Sequence, residues 1–143
     1  MKIVYCCFSL KDSKLWDIFR EHLKPLERGG CMHLFHDLGI QAGNNLQQER
    51  DYYTKTADII LLLLSRHFIS DNDSYDILQK AVTRFKSNEA SVFQIILTPI
   101  YVECLPNIVQ LPKLPKNPTS QQTRDQRFKK VAEELHKLLE DKQ

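Results

Sequence analysis

Six aliphatic side chains stand in a row at Ile59-Ile60-Leu61-Leu62-Leu63-Leu64. A run this short and unbroken has no polar face to turn toward water. It predicts a strand over 58–64 that is covered on both faces and lies centrally in a parallel sheet. Three further segments share its character. Lys2 to Phe8 is apolar and rich in strand formers, Cys31 to Phe35 forms a second strand, and Ser91 to Leu97 a fourth.

Helical periodicity fills the intervals. Asp12 or Ser13 can cap a helix that carries Leu15, Ile18, Phe19, Leu23 and Leu26 at spacings of three and four. Gly29-Gly30 ends it. Asn44 or Asn45 caps a polar helix that runs to about Thr56. Asp71 to Asp73 opens another, through Tyr75, Leu78, Ala81, Val82 and Phe85, because acids favour helix N-termini. Pro99, Pro106, Pro112, Pro115 and Pro118 rule out a long helix in the next stretch and allow a short edge strand at Ile108 to Leu111. A last amphipathic helix is expected over about Thr123 to Leu139.

Strands alternating with helices imply helices on both faces of a parallel sheet. Right-handed crossovers then give an α/β, flavodoxin-like doubly wound sandwich with a central five-stranded parallel sheet of order 2-1-3-4-5. Hydrophobic residues make up 42% of the 143 residues. A chain of that size buries about two thirds of its unfolded surface, so one domain over 1–143 can hold itself together without disulfide or metal.

In such sheets ligands collect beyond the carboxyl ends of the strands. That rim gathers Ser9 to Asp12, His36 to Gly43, Ser65 to Ser70, and the loop Thr98 to Tyr101. Asp37 is the most suggestive acid there, and it could equally cap its own loop by accepting backbone N–H bonds.

Other chemistries find little support. Net charge is +2, from 20 basic and 18 acidic residues, which argues against nucleic acid as the main partner. Lys113, Lys116, Arg124, Arg127, Lys129 and Lys130 read as a solvated face. No run of about 18 apolar residues predicts a membrane span. The first residues lack a signal-peptide pattern, so a cytoplasmic protein is expected. Cys6, Cys7, Cys31 and Cys104 have no C-x-x-C spacing and read as free thiols, with Cys6 and Cys31 buried in strands. His33 and His36 have no partner at metal-ligand spacing, so no metal site is expected. Neither a phosphate-binding glycine loop nor a G-x-S-x-G elbow occurs. A receiver domain would need acids where the first and third strands end in Phe8-Ser9 and Leu64-Ser65.

The rim segments also carry a likeness. Phe8-Ser9 through Asp12, Asp37 through Gly43, and Ser65 through Ser70 follow one another in an order and spacing that resembles the Toll/interleukin-1 receptor (TIR) domain, in particular its bacterial branch. The likeness covers nearly the whole chain. It implies one of two activities: a signalling module that works by self-association or by docking to a partner protein, in bacterial defence or signal transduction, or an NAD glycohydrolase or cyclase. On the second, Phe8, Ser9, Asp12, Asp37, Gly43 and Ser65 would line the pocket for NAD as substrate or ligand; on the first, no cofactor is required. NAD-cleaving members carry a glutamate four residues before a small residue that lies eleven residues ahead of the fourth strand's first valine. Ala81 and Val92 keep that spacing, which puts Ile77 where the glutamate would be. An isoleucine cannot stabilise the charge that builds on ribose as nicotinamide leaves, a loss worth factors of about a hundred to a thousand. Asp73, one turn earlier on the same helix face, and adjacent Asp76 are the carboxylates that could substitute. Otherwise both compensate the helix terminus.

Overall fold

The computed structural model describes residues 1–39, 45–119 and 121–140. Its centre is a parallel sheet of β1 (Lys2–Cys7), β2 (Met32–His36), β3 (Ile59–Leu64) and β4 (Ser91–Ile96), in the order β2-β1-β3-β4. Tyr5 of β1 lies between Phe35 of β2 and Ile60 of β3, and Ile60 in turn faces Val92 of β4.

Alternation along each strand sends successive side chains to opposite faces. Ile59, Leu61 and Leu63 join Trp16, Phe19 and Leu23 of α1 (Ser13–Arg28) and Phe128, Val131 and Leu135 of α6 (Arg124–Glu140). Ile60, Leu62 and Leu64 join Phe68 of α3 (Arg66–Ser70), Ile77 and Leu78 of α4 (Asn72–Lys86), and Ile108 of α5 (Pro106–Val109). α2 (Leu46–Thr56) covers the β2 side, where Tyr53 stacks on Phe35 with ring centroids 4.5 Å apart. All six side chains of β3 are buried, as its unbroken aliphatic run demands.

The helix ends follow the polar signals in the sequence. α1 closes with Gly30 at φ +70°, a left-handed position that suits glycine. There the Cys31 N–H reaches the Leu26 carbonyl at 3.0 Å and the Gly30 N–H reaches that of Glu27 at 3.1 Å. Asn45 caps α2 and Asp71 caps α4 through side-chain oxygens. Cys6 is buried, whereas Cys31 lies just before β2 and is half-buried; all four cysteines are free. No helix among the described residues is long and apolar enough to cross a membrane.

The expected fifth strand is not formed; the sheet has four strands among the described residues. Ile108 begins a residue pair that belongs to α5, with Pro106 at its first position, where a missing N–H costs nothing. Beyond it, strand pairing shrinks to one parallel bridge between Gln94 and Lys113. The Gln94 N–H donates to the Pro112 carbonyl at 2.9 Å, and the Leu114 N–H to the Gln94 carbonyl at 3.0 Å. Pro112 has no amide hydrogen to extend the pairing toward Val92, and the Lys116 N–H, which would extend it toward Ile96, donates instead to Glu134 Oε1 at 2.9 Å, so the pairing stops at this bridge. The Gln94 side chain holds the strap instead, donating from Nε2 to the carbonyls of Ile108 at 2.8 Å and Leu111 at 2.9 Å.

Candidate functional site

Where β1 and β2 end, the chain tightens into two 3-10 turns, Leu10–Asp12 and Asp37–Gly39. Between these turns and the start of α4 lies a cleft of about 350 Å³, bordered by Phe8, Ser9, Asp37, Arg50, Asp73 and Ser74 among others. It occupies the carboxyl-end rim where an open α/β sheet binds ligands.

The floor of the cleft is a buried polar cluster. Asp37 is 3% exposed. Its Oδ1 accepts from the Tyr5 hydroxyl at 2.6 Å, and its Oδ2 accepts from the Phe8 N–H at 3.1 Å. Arg50, also 3% exposed, reaches in from α2 and places Nε 3.4 Å from Asp37 Oδ2. Its Nη2 donates to Cys7 Sγ at 3.1 Å and to Ser74 Oγ at 2.9 Å. The Ser74 hydroxyl passes its own proton toward Asp71 Oδ2 at 2.6 Å. Four elements thus meet at one guanidinium: β1 through Cys7, the β2 end through Asp37, α2 through Arg50, and α4 through Ser74. Thr54, one turn after Arg50, bonds the Arg50 carbonyl at 2.6 Å, so the inward face of α2 is polar rather than apolar.

The electrostatics of this floor are those of a structural lock. Burial, then the nearby Asp37 charge, pushes the Cys7 thiol far up, outweighing the pull of Arg50. It is therefore protonated at neutral pH and inert as a nucleophile. Burial also raises Tyr5, which stays a phenol that donates to Asp37. Burial raises the Asp37 carboxyl, while Arg50, the Tyr5 hydroxyl and the Phe8 amide pull it back. Burial works against the Arg50 charge, but the Asp37 carboxylate and the bond to Cys7 Sγ hold its guanidinium protonated. Nearer the mouth, the hydrogen bond from Ser74 lowers the Asp71 carboxyl, as its helix-capping role requires.

The residues singled out from the sequence fall in three places. Phe8, Ser9, Asp37 and Asp73 border the cleft, although the Phe8 ring itself is stacked on Trp16 at 4.7 Å. Asp12 and Ser65 are buried below the rim, where the Ser65 hydroxyl donates to Asp12 Oδ2 and also accepts the Phe68 N–H at 3.1 Å. They tie the end of β3 to the turn after β1 and do not border the cleft. Asp76 points away from it and pairs with Lys80 at 3.0 Å, exposed to solvent. Gly43 lies outside the described residues. Ile77 is fully buried among the apolar side chains between α4 and the sheet.

Arg50, Ser74, Tyr5 and Cys7 carry the floor, yet nothing in their local pattern announces it. Arg50 stands in Gln47-Gln48-Glu49-Arg50-Asp51, which reads as a solvated helix face. The one available signal is its spacing of four to Thr54, which repeats a polar residue on one helix face.

The fold and cleft define an α/β protein with a four-stranded parallel sheet and a polar rim site above a buried Arg–Asp pair. No protein-family model matches the sequence. The chain is 40% identical over 98 residues to "Uncharacterized protein y4lF" of Sinorhizobium fredii (strain NBRC 101917 / NGR234). The matched stretch covers 68% of this chain and 30% of that protein, so the chain spans less than a third of its relative's length.

Proposed function

We propose that residues 1–143 are a single TIR-like domain that acts as a cytoplasmic signalling module, by self-association or by docking to a partner protein, in bacterial defence or signal transduction. The four-strand order with helices on both faces is compatible with the flavodoxin-like doubly wound arrangement that the reading requires. The observation that carries the choice of scaffold over catalyst is Ile77. At the helix position where the likeness calls for a glutamate stands an aliphatic side chain, fully buried in the apolar layer under α4. The floor of the rim cleft is already neutralised by the Arg50–Asp37 pair, so among the described residues the floor offers no uncommitted buried acid to meet a developing charge. Leu10 and Leu38, 47% and 44% exposed on the two rim turns, supply apolar surface at the same end of the sheet. Light scattering over a concentration series, with and without NAD, tests the self-association form of the reading. Growth of a defined oligomer supports it, and a monomer at every concentration overturns it.

A second reading, NAD glycohydrolase or cyclase, draws on one feature. Asp73 borders the same cleft as Phe8, Ser9 and Asp37. Nicotinamide release from NAD, lost in Asp73→Ala and kept in Asp76→Ala, would establish it. Equal release from both variants would remove Asp73 from the chemistry.

A further inference from the structure

On the other side of the sheet, a groove of about 380 Å³ runs along the free edge of β4, between the strap that follows α5 and the inner face of α6. It shares no residue with the rim cleft. Leu97, Leu114, Phe128 and Val131 give it apolar walls, and all four are nearly or fully buried. Among the described residues, Lys113 and Arg127 are its charged ones, and no aspartate or glutamate lines it. Arg127 spends Nη1 on the Gln122 carbonyl at 2.9 Å, and Lys113 has no ion-pair partner among the described residues.

The backbone of the groove is as telling as its side chains. In a parallel ladder, alternate residues bond to opposite neighbours. Ser91 and Leu97 bond inward to the carbonyls of Asp58 and Leu64, whereas Gln94 bonds outward to the strap. Ile96, two residues after Gln94, therefore directs its N–H and C=O outward as well, into the groove, and among the described residues neither has a backbone partner. The strap shows that this edge accepts an extended chain, but it does so for one residue only, and the rest of the place stays open.

We propose that this groove binds a short extended peptide segment of a partner protein, an apolar residue flanked by acids, which adds to the β4 edge at Ile96. The peptide backbone would meet the open N–H and C=O of Ile96. Its apolar side chain would fill the space against Phe128 and Val131, and its carboxylates would meet Lys113 and Arg127. The proposal stands apart from self-association. A monomer that binds the peptide keeps this site and loses only the self-association form of the reading above, and an oligomer indifferent to the peptide does the reverse.

The probe is a fluorescein-labelled heptapeptide of alternating leucine and aspartate, titrated with the full chain and read by fluorescence anisotropy. Saturable binding is expected, weakened at least tenfold when lysine replaces aspartate in the peptide, when alternate peptide nitrogens are methylated, or in the Arg127→Glu protein. An amide-resolved NMR titration of the unaltered protein guards against a folding defect in that variant. The largest shifts are expected at Ile96, Thr98 and Arg127. Shifts centred on Ser9 and Lys11, undiminished binding of the N-methylated peptide, or competition by decanoate as effective as unlabelled peptide would each overturn the proposal, the last by showing that an apolar acid alone suffices.

Discussion

Replacing Arg50 by methionine tests whether the floor of the rim cleft is a lock or an ornament. The change keeps most of the side-chain volume and removes the charge. Asp37 then keeps only the Tyr5 hydroxyl and the Phe8 amide as donors, at 2.6 and 3.1 Å, in a site 3% exposed. Ser74 loses the donor at 2.9 Å that joins α4 to the cluster. Breaking a buried ion pair from one side costs about 3–5 kcal/mol, because the remaining charge stays desolvated. For a chain of 143 residues the unfolding entropy near the midpoint is about 0.3 kcal/mol/K, so the melting temperature should fall by roughly 10–17 °C. Thermal melts followed by circular dichroism at pH 7 measure this directly. The companion variant Asp37→Asn removes the orphaned charge. The double variant should therefore lose about 1–3 kcal/mol less than the sum of the two single changes. A melting point within about 2 °C of the parent for Arg50→Met, or strict additivity in the cycle, would refute the idea that this pair holds four elements together.

His36 makes stability depend on pH. Its ring lies against Trp16 at 4.9 Å with Nδ1 buried and unpartnered. Burial first, then the charges of Arg20 and Lys24, lower its pKa from 6.5 to about 4. A depressed histidine contributes stability that is fully present above 6.5 and is lost as pH falls from there toward 4. With a discount for its partial exposure the loss is about 1–2 kcal/mol, and urea unfolding of His36→Gln over that range should show a correspondingly flatter profile. Gln94→Leu strips the donors from the Ile108 and Leu111 carbonyls; unfolding free energy should drop by about 1–3 kcal/mol, and amide exchange at Leu114 should accelerate. Leu62→Ala, in the fully buried centre of β3, should cost about 2–5 kcal/mol by urea unfolding.

Periodicity exposed the four strands and the long helices because burial on a sheet face or helix stripe leaves a mark at every second, or every third and fourth, residue. Polar caps such as Asn45 and Asp71 were visible because they answer donors only two or three positions away. The five-residue helix at Arg66–Ser70 is too short to show a period, and only the capping Ser65 marks it. The segment from Pro106 to Pro115 was ambiguous for a different reason. Its prolines excluded a long helix but allowed a short edge strand, and what settled its path was a glutamine side chain fourteen residues away in sequence from Ile108.

From its residues alone, the chain determined a parallel α/β sheet with β3 at its heart and a polar rim at the carboxyl ends of its strands, since apolar patterning acts locally and repeats. The loss of the fifth strand, the burial of Asp12 and Ser65 beneath the rim, the diversion of Asp76 to Lys80, and the convergence of Tyr5, Cys7, Asp37, Arg50 and Ser74 were decided only by the packed structure. A charged residue on a polar helix face has the same sequence signature in water as over a buried carboxylate. Which of the two it meets depends on how α2 is laid across β1 and β2, and that is settled by contacts between residues far apart in the chain.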